Sequence, residues 1–170
     1  MKFAKLAVIL ILLASSWNYN TQIRAETKKL IYEDARQGIS WKVYLLKKKL
    51  VTKVTYGGET RKGYLVDLEI NNSYSGVYRQ TNLIQCSTAS PFVAFKDRDT
   101  PKMAILHFIN PGGEISGYDK GSHWEYWVVC HELWEPWKYN LSSKARQLGY
   151  STQLSSEQIE IPYEVMQYLR

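Results

Sequence analysis

The chain has 170 residues, of which 45% are hydrophobic, 22% charged and 14% aromatic, and its formal net charge is +6. This length suits one domain with a hydrophobic core of its own, since domains usually run to about 100–200 residues. The ordinary shares of apolar and charged residues exclude a disordered or collagen-like chain. The basic charge raises the question of a nucleic-acid or anionic-surface partner.

The first 25 residues have the pattern of a secretory signal peptide. Lys2 and Lys5 precede an apolar run over residues 6–14, and no acidic residue occurs before residue 26. Nine residues rise only about 13 Å as a helix, which is too short for a hydrocarbon core of about 30 Å. We therefore predict that residues 1–25 are removed on export, with a cut near residue 16 as the alternative.

Removal of this segment changes both the charge and the compartment that the sequence implies. Three basic residues leave with it, so the mature chain of residues 26–170 carries +3. We expect an exported protein, secreted or periplasmic, that has no nucleic-acid partner. We expect at most a peripheral association with a membrane or envelope, because the mature chain has no second long apolar stretch.

Two cysteines remain in the mature chain, Cys86 and Cys130. An even pair in an exported protein predicts one disulfide. Both residues occupy positions of core-facing parity in predicted strands, which supports their pairing. A free nucleophilic thiol is the alternative, but the surrounding sequence offers no context that would stabilise a thiolate.

Alternation of apolar and polar residues dominates the mature chain and predicts antiparallel strands. These strands are predicted over residues 41–45, 50–56, 62–70, 77–86, 92–95, 103–109 and 122–131. Gly57 and Gly58 supply a hairpin turn, and the basic run 47–49 is interpreted as a solvated turn. The run 103–109 is apolar on both parities, which indicates a strand covered on both faces.

The pattern changes to short helices towards the C terminus. Asn140 or Ser142 can cap a helix that ends at Gly149, and Pro162 is well placed to begin a terminal helix. The sequence therefore predicts a single all-β domain, a small antiparallel barrel or sandwich of about seven strands with short C-terminal helical segments. An α+β fold is the alternative.

The histidines do not predict a metal centre. His131-Glu132 resembles the start of a metalloprotease helix, but the second ligand position holds Glu135, which precedes a proline. His107 lies inside an apolar run and His123 has no neighbour with ligand spacing, so we predict neither a metal nor a cofactor.

Aromatic residues concentrate between Tyr118 and Tyr139, with seven in 22 residues against 20 in the 145 of the mature chain. Flat indole rings beside carboxylates and histidine suit stacking on a sugar ring or clamping a peptide. We expect Trp127, Trp134 and Trp137 to be partly exposed. The alternative is that these rings cap the open end of a β-barrel or cover the disulfide. The candidate ligand-binding residues are Trp127, Trp134, Trp137, Glu125, His131 and Glu135.

Three functions follow from these patterns. The first is an exported, non-catalytic β-domain that binds a carbohydrate or peptide ligand through residues 118–139. The second is a small hydrolase of envelope glycans, in which two acidic residues of that segment would be the catalysts. The third is a structural component of the cell envelope that attaches through the basic run 47–49. The sequence assigns no particular catalytic residue.

Overall fold

The computed structural model describes residues 27–56, 59–115, 117–151 and 153–168. The predicted signal peptide, its cleavage position and the Gly57–Gly58 turn lie outside the described residues. Seven strands form one antiparallel sheet, in which each strand pairs with the next strand along the chain. This confirms the predicted all-β class with seven strands and short helical segments towards the C terminus.

Short connections join long strands in the first half of the chain, and the helices follow in the second half. The strands are β1 (Lys29–Arg36), β2 (Ile39–Tyr56), β3 (Glu59–Asn72), β4 (Gly76–Gln85), β5 (Phe92–Lys96), β6 (Met103–Phe108) and β7 (Gln158–Pro162). The helices are α1 (Lys120–His131), α2 (Leu141–Gln147) and α3 (Tyr163–Tyr168).

The segment predicted as a strand over residues 122–131 is helix α1, and that prediction is wrong. Seven residues of α1 are buried, on almost every side of the helix. A helix that is buried on nearly all sides has no polar stripe. The spacing of its hydrophobic residues therefore could not distinguish it from a buried strand. The strand count stays at seven because β1 and β7, which the sequence pattern left unassigned, complete the sheet.

The predicted strands 41–45 and 50–56 are one continuous strand, β2, so the basic run 47–49 is not a turn. The pairing of β2 with β3 shifts between Leu45 and Lys47, as in a β-bulge. Bulges bend a strand and re-aim its side chains. Lys48 follows the shift, and its ammonium donates a hydrogen bond to the carbonyl of Val129 near the end of α1.

Two hydrophobic clusters cover opposite faces of the central strands. Ile84 and Val93 belong to the first cluster, which includes the buried residues of α1. Leu83 and Ala94 belong to the second, which includes Met166 of α3. Successive strand residues point to opposite faces, so α1 and α3 lie on opposite sides of the sheet.

Cys86 and Cys130 form the predicted disulfide, with their Cα atoms 5.5 Å apart. Cys86 directly follows β4 and Cys130 lies in the last turn of α1, so the bond ties the helix to the sheet rather than joining two strands. Disulfides are typical of proteins in oxidising compartments. Among the described residues, none of the helices has the length and apolarity needed to cross a membrane.

The C-terminal helices begin and end close to their predicted positions. The Asn140 side chain caps α2 by accepting a hydrogen bond from the Ser143 N–H at 2.9 Å. Gly149 follows this helix with φ of +81°, a conformation that glycine adopts without strain. Pro162 ends β7, and α3 begins at the next residue.

Candidate functional site

A cavity of about 240 Å³ lies between the first half of α1 and one face of the sheet. Four aromatic side chains from β1, β2, β4 and β5 contribute to its walls: Tyr32, Trp41, Tyr78 and Phe95. Amide and carboxyl groups complete the polar part of the lining: Asn72, Gln80, Asn82 and Glu125. Five strands and one helix therefore converge on this cavity, which we call the Glu125 cavity.

Glu125 is the carboxyl group of the cavity, and only 7% of the residue is exposed. Its Oε2 accepts a hydrogen bond of 2.6 Å from the amide of Asn82. Burial raises the pKa of Glu125 to about 7, and the Asn82 hydrogen bond opposes this rise. Among the described residues that line the cavity there is no lysine, arginine or histidine to balance the carboxylate.

Tyr32, which forms one wall of the cavity, packs closely against α1. Its ring centroid lies 5.2 Å from that of Trp124. A Cβ atom at Gly121 would lie 2.5 Å from the Tyr32 hydroxyl, so a glycine is needed where the phenol crosses the helix. Burial, followed by the nearby Glu125 carboxylate, raises the pKa of Tyr32 well above its ordinary value.

The six predicted ligand-binding residues do not meet in one site. Glu125 lines the cavity, but Trp127, two positions later in α1, is fully buried in the core rather than partly exposed. Trp134 is half-buried beneath the Lys29 ammonium, which lies 3.4 Å from its ring centroid. Trp137 is 48% exposed and packs against Trp124.

The polar candidates His131 and Glu135 have partners away from the cavity. The carboxylate of Glu135 pairs with the Lys138 ammonium at 2.7 Å. His131 Nε2 lies 2.6 Å from the Tyr150 hydroxyl, which in turn lies 2.6 Å from the hydroxyl of Tyr126. This hydrogen-bonded chain ends at the carbonyl of Ser87, so it anchors the end of α1 to the segment after β4.

Two other histidines, His107 of β6 and His123 of α1, meet near the N-terminal end of α1. The Nε2 atoms of His107 and His123 lie 3.3 Å and 3.4 Å from the Ser156 hydroxyl. Asp119 lies 3.4 Å from the same Nε2 of His107. In a catalytic triad the carboxylate binds the imidazole nitrogen that does not face the serine, so this arrangement lacks the triad geometry.

Burial governs the protonation of these two histidines. It lowers the pKa of His107, and it lowers the pKa of His123 to about 4, with the neighbouring His107 adding to the effect. Both residues are therefore neutral at pH 7. Within the described part of the chain, no group of three or more His, Cys, Asp or Glu is placed to hold a metal ion.

The hydrolase hypothesis needs a second carboxyl group near Glu125. Glycosidases use two carboxyl groups about 5–10 Å apart on either side of the scissile bond. Among the described lining residues of the Glu125 cavity, Glu125 is the only acid.

Sequence patterns identified one of the residues that define the cavity. Glu125 was a candidate because it lies in the aromatic-rich segment, whereas Tyr32, Trp41, Tyr78 and Phe95 come from four separate strands. Their shared face depends on strand register, which sequence alternation does not give across five strands. The sequence feature that could have indicated these cavity walls is the excess of tyrosine and tryptophan at core-facing strand positions.

Comparisons with known proteins do not assign the cavity. A comparison of the chain with protein-family models, curated proteins and solved structures gives no match. The interpretation of the cavity therefore depends on its own chemistry: aromatic walls, one buried carboxyl group and a lining without basic side chains.

Proposed function

We propose that this protein is an exported, non-catalytic domain that binds a small carbohydrate or peptide ligand in the Glu125 cavity. The observation that carries the proposal is a buried carboxyl group in the wall of a cavity with four aromatic side chains. Small-ligand sites usually combine mostly apolar walls with a few polar groups that fix the orientation of the ligand.

The volume of the cavity limits the part of the ligand that enters it. Pockets for drug-sized molecules usually have volumes of about 300–1,000 Å³. At about 240 Å³ the Glu125 cavity is smaller, so it suits a single sugar ring or one amino-acid side chain. The remainder of a longer ligand would lie outside.

A row of aromatic rings leads from the cavity to the surface. Tyr32 contacts Trp124, and the Trp124 ring lies 5.4 Å from that of Trp137, which is 48% exposed. Exposed indole rings provide stacking surfaces for sugars and for peptide side chains. Trp124 and Trp137 of the aromatic segment follow Tyr32 in this row, and they would contact the continuation of a ligand.

Export is supported by two features of the chain. The predicted signal peptide over residues 1–25 would direct the protein out of the cytoplasm, and the Cys86–Cys130 disulfide is typical of an oxidising compartment. An exported binding domain would encounter the glycans and peptides of the cell envelope or its surroundings. The intact mass of the exported protein, with and without reductant, tests the cleavage position.

Chemical-shift mapping tests the binding proposal directly. The purified, oxidised protein is titrated with glucose, N-acetylglucosamine and capped single amino acids, and we expect shifts at Trp41, Gly121 and Ser122. The variant Trp41→Ala should weaken binding at least about fivefold, since an aromatic contact contributes about 1 kcal/mol. Tyr139→Ala, at an exposed ring outside the cavity, is the matched control. Absence of shifts at the cavity with every probe would overturn the proposal.

A further inference from the structure

We infer that the Glu125 cavity selects ligands with a positively charged amino group, whose ammonium pairs with the Glu125 carboxylate while the aromatic side chains contact its CH groups. This inference rests on the proposed function, because it names the ligand class of the same cavity. An amino sugar or the amine of a peptide would carry such a group.

The first support is the charge of the lining. A buried carboxylate without a basic partner is unfavourable in a protein interior. Glu125 has an amide partner in Asn82, but the described lining of its cavity holds no basic side chain. An ammonium ion from a ligand would supply the missing positive charge. An anionic ligand would instead be repelled by Glu125.

The second support is the fixed orientation of the carboxyl group. The amide of Gln80 donates to Asn82 Oδ1 at 2.7 Å, and the amide of Asn82 donates to Glu125 Oε2. This chain of hydrogen bonds holds the acid against β4. A carboxylate that is already oriented loses little side-chain entropy when a ligand binds.

The third support is the aromatic composition of the walls. Ammonium groups are attracted to the faces of Trp, Tyr and Phe rings, most strongly where water is excluded. Trp41, Tyr32 and Phe95 surround one small space together with Tyr78, whose ring centroid lies 3.9 Å from the Arg98 guanidinium. Aromatic rings together with a carboxylate are a suitable combination for an alkylammonium ion, which has both a charge and apolar CH groups.

Protonation of Glu125 should control this selectivity. The groups that face it or its immediate surroundings are Asn82 and Tyr78 on β4, Tyr32 and Asp34 on β1, Lys120 at the start of α1, and Arg98 after β5, whose guanidinium lies 3.9 Å from the Tyr78 ring centroid. Burial raises the pKa of Tyr32, so this tyrosine is neutral at pH 7, and the Lys120 ammonium lies 3.8 Å from the Asp34 carboxylate. Because burial raises the pKa of Glu125 to about 7, the carboxylate predominates only above neutral pH.

Two probes with the same cyclohexyl ring distinguish the effect of ligand charge on binding from the effect of ligand shape. Cyclohexylammonium and cyclohexanol are titrated into the oxidised protein by NMR and calorimetry at about pH 8, where cyclohexylamine is still charged. We expect cyclohexylammonium to bind at least about tenfold more tightly than cyclohexanol. In Glu125→Gln this preference should fall to within about twofold, whereas the exposed control Glu160→Gln should retain it.

A second measurement uses the wild-type protein alone, so that it remains informative if Glu125→Gln fails to fold. At about pH 5.5 Glu125 is protonated, and the preference for cyclohexylammonium should be lost. If both probes shift cavity resonances with equal affinity at about pH 8, the inference is wrong and the proposed function stands. If neither probe shifts cavity resonances, and the sugars and capped amino acids also cause no shifts, the inference and the proposed function are both wrong.

Discussion

The two halves of α1 pack on the same sheet through different kinds of contact. The C-terminal half is held by the Cys86–Cys130 disulfide, by Trp127 in the core and by the hydrogen bonds of Tyr126 and His131 with Tyr150. The N-terminal half begins at Asp119 without a side-chain cap and borders the Glu125 cavity. Its buried contacts include groups that titrate, namely His123 and Glu125.

This difference indicates a division of tasks along one helix. In the chain-entropy model, a disulfide that closes a loop of this length stabilises the fold by about 4 kcal/mol, and a buried tryptophan contributes a similar amount. The stabilisation by the C-terminal half can offset the destabilising cost of a buried carboxyl group and of a cavity at the N-terminal end of the helix. Functional sites commonly depart from good packing and rely on the rest of the fold in this way.

The largest expected effect comes from removing the core anchor of the C-terminal half. Trp127→Ala should lower the free energy of unfolding by about 3–5 kcal/mol, because Trp127 is completely buried. Trp137→Ala should cost less than about 1 kcal/mol, since nearly half of Trp137 is exposed. Denaturant unfolding measures both variants. Equal costs would mean that Trp127 does not anchor the helix.

A pH series examines the N-terminal half. The pKa of His123 falls from 6.5 to about 4 on folding, so this residue makes stability decrease as pH falls below 6.5. The pKa of Glu125 rises from 4.5 to about 7, so this residue makes stability decrease as pH rises from 4.5 to 7. Each effect amounts to about 3 kcal/mol, and the two oppose each other in the wild-type protein.

Single substitutions should separate the two effects. Glu125→Gln removes the decrease with rising pH, so its stability should climb steadily between about pH 4 and 6.5. In His123→Gln the stability should instead decrease as pH rises, because Glu125 still loses its proton. His107 partly opposes this decrease, since its lowered pKa makes the fold more stable at higher pH. Unfolding midpoints at several pH values measure both profiles. Parallel profiles for wild type and Glu125→Gln would show that Glu125 does not titrate as its burial implies.

The smallest expected effect lies at the C-terminal end of α1. The Lys48 ammonium donates to the Val129 carbonyl, where a positive charge also favours the helix dipole. Lys48→Met should therefore cost about 0.3–1 kcal/mol, and less at high salt. Lys47→Met, at an exposed neighbouring position, is the control. An equal loss in both variants would mean that the contact with Val129 contributes nothing.

Much of the sheet could be predicted because its information is local. Alternation and turn residues indicated β3 and β4, and the amide of Asn72 accepts hydrogen bonds from the Tyr74 and Ser75 N–H groups in the turn between them. With only two cysteines in the chain, the disulfide partners followed from counting. The reason given for that pairing, a shared strand parity, was wrong because Cys130 is helical.

The candidate site was less predictable, because its residues are far apart in the chain. Glu125 came from the aromatic-rich segment, but the same segment also suggested that Trp127 is partly exposed, whereas α1 directs this side chain into the core. Trp41 and Tyr78 reach the cavity through strand pairing across the sheet. Strand register and helix orientation determine which side chains converge, and local sequence patterns predict neither of them.

The sequence by itself determined the all-β class, most of the strand-forming segments from β2 to β6, the disulfide partners and the position of α2, since each depends on neighbouring residues or on simple counting. Tertiary structure decided that residues 120–131 form a helix, because burial on nearly all sides removes the polar stripe that would reveal its period. It also decided the surroundings of Glu125. A carboxyl group becomes a candidate site only when five strands and a helix line a cavity beside it.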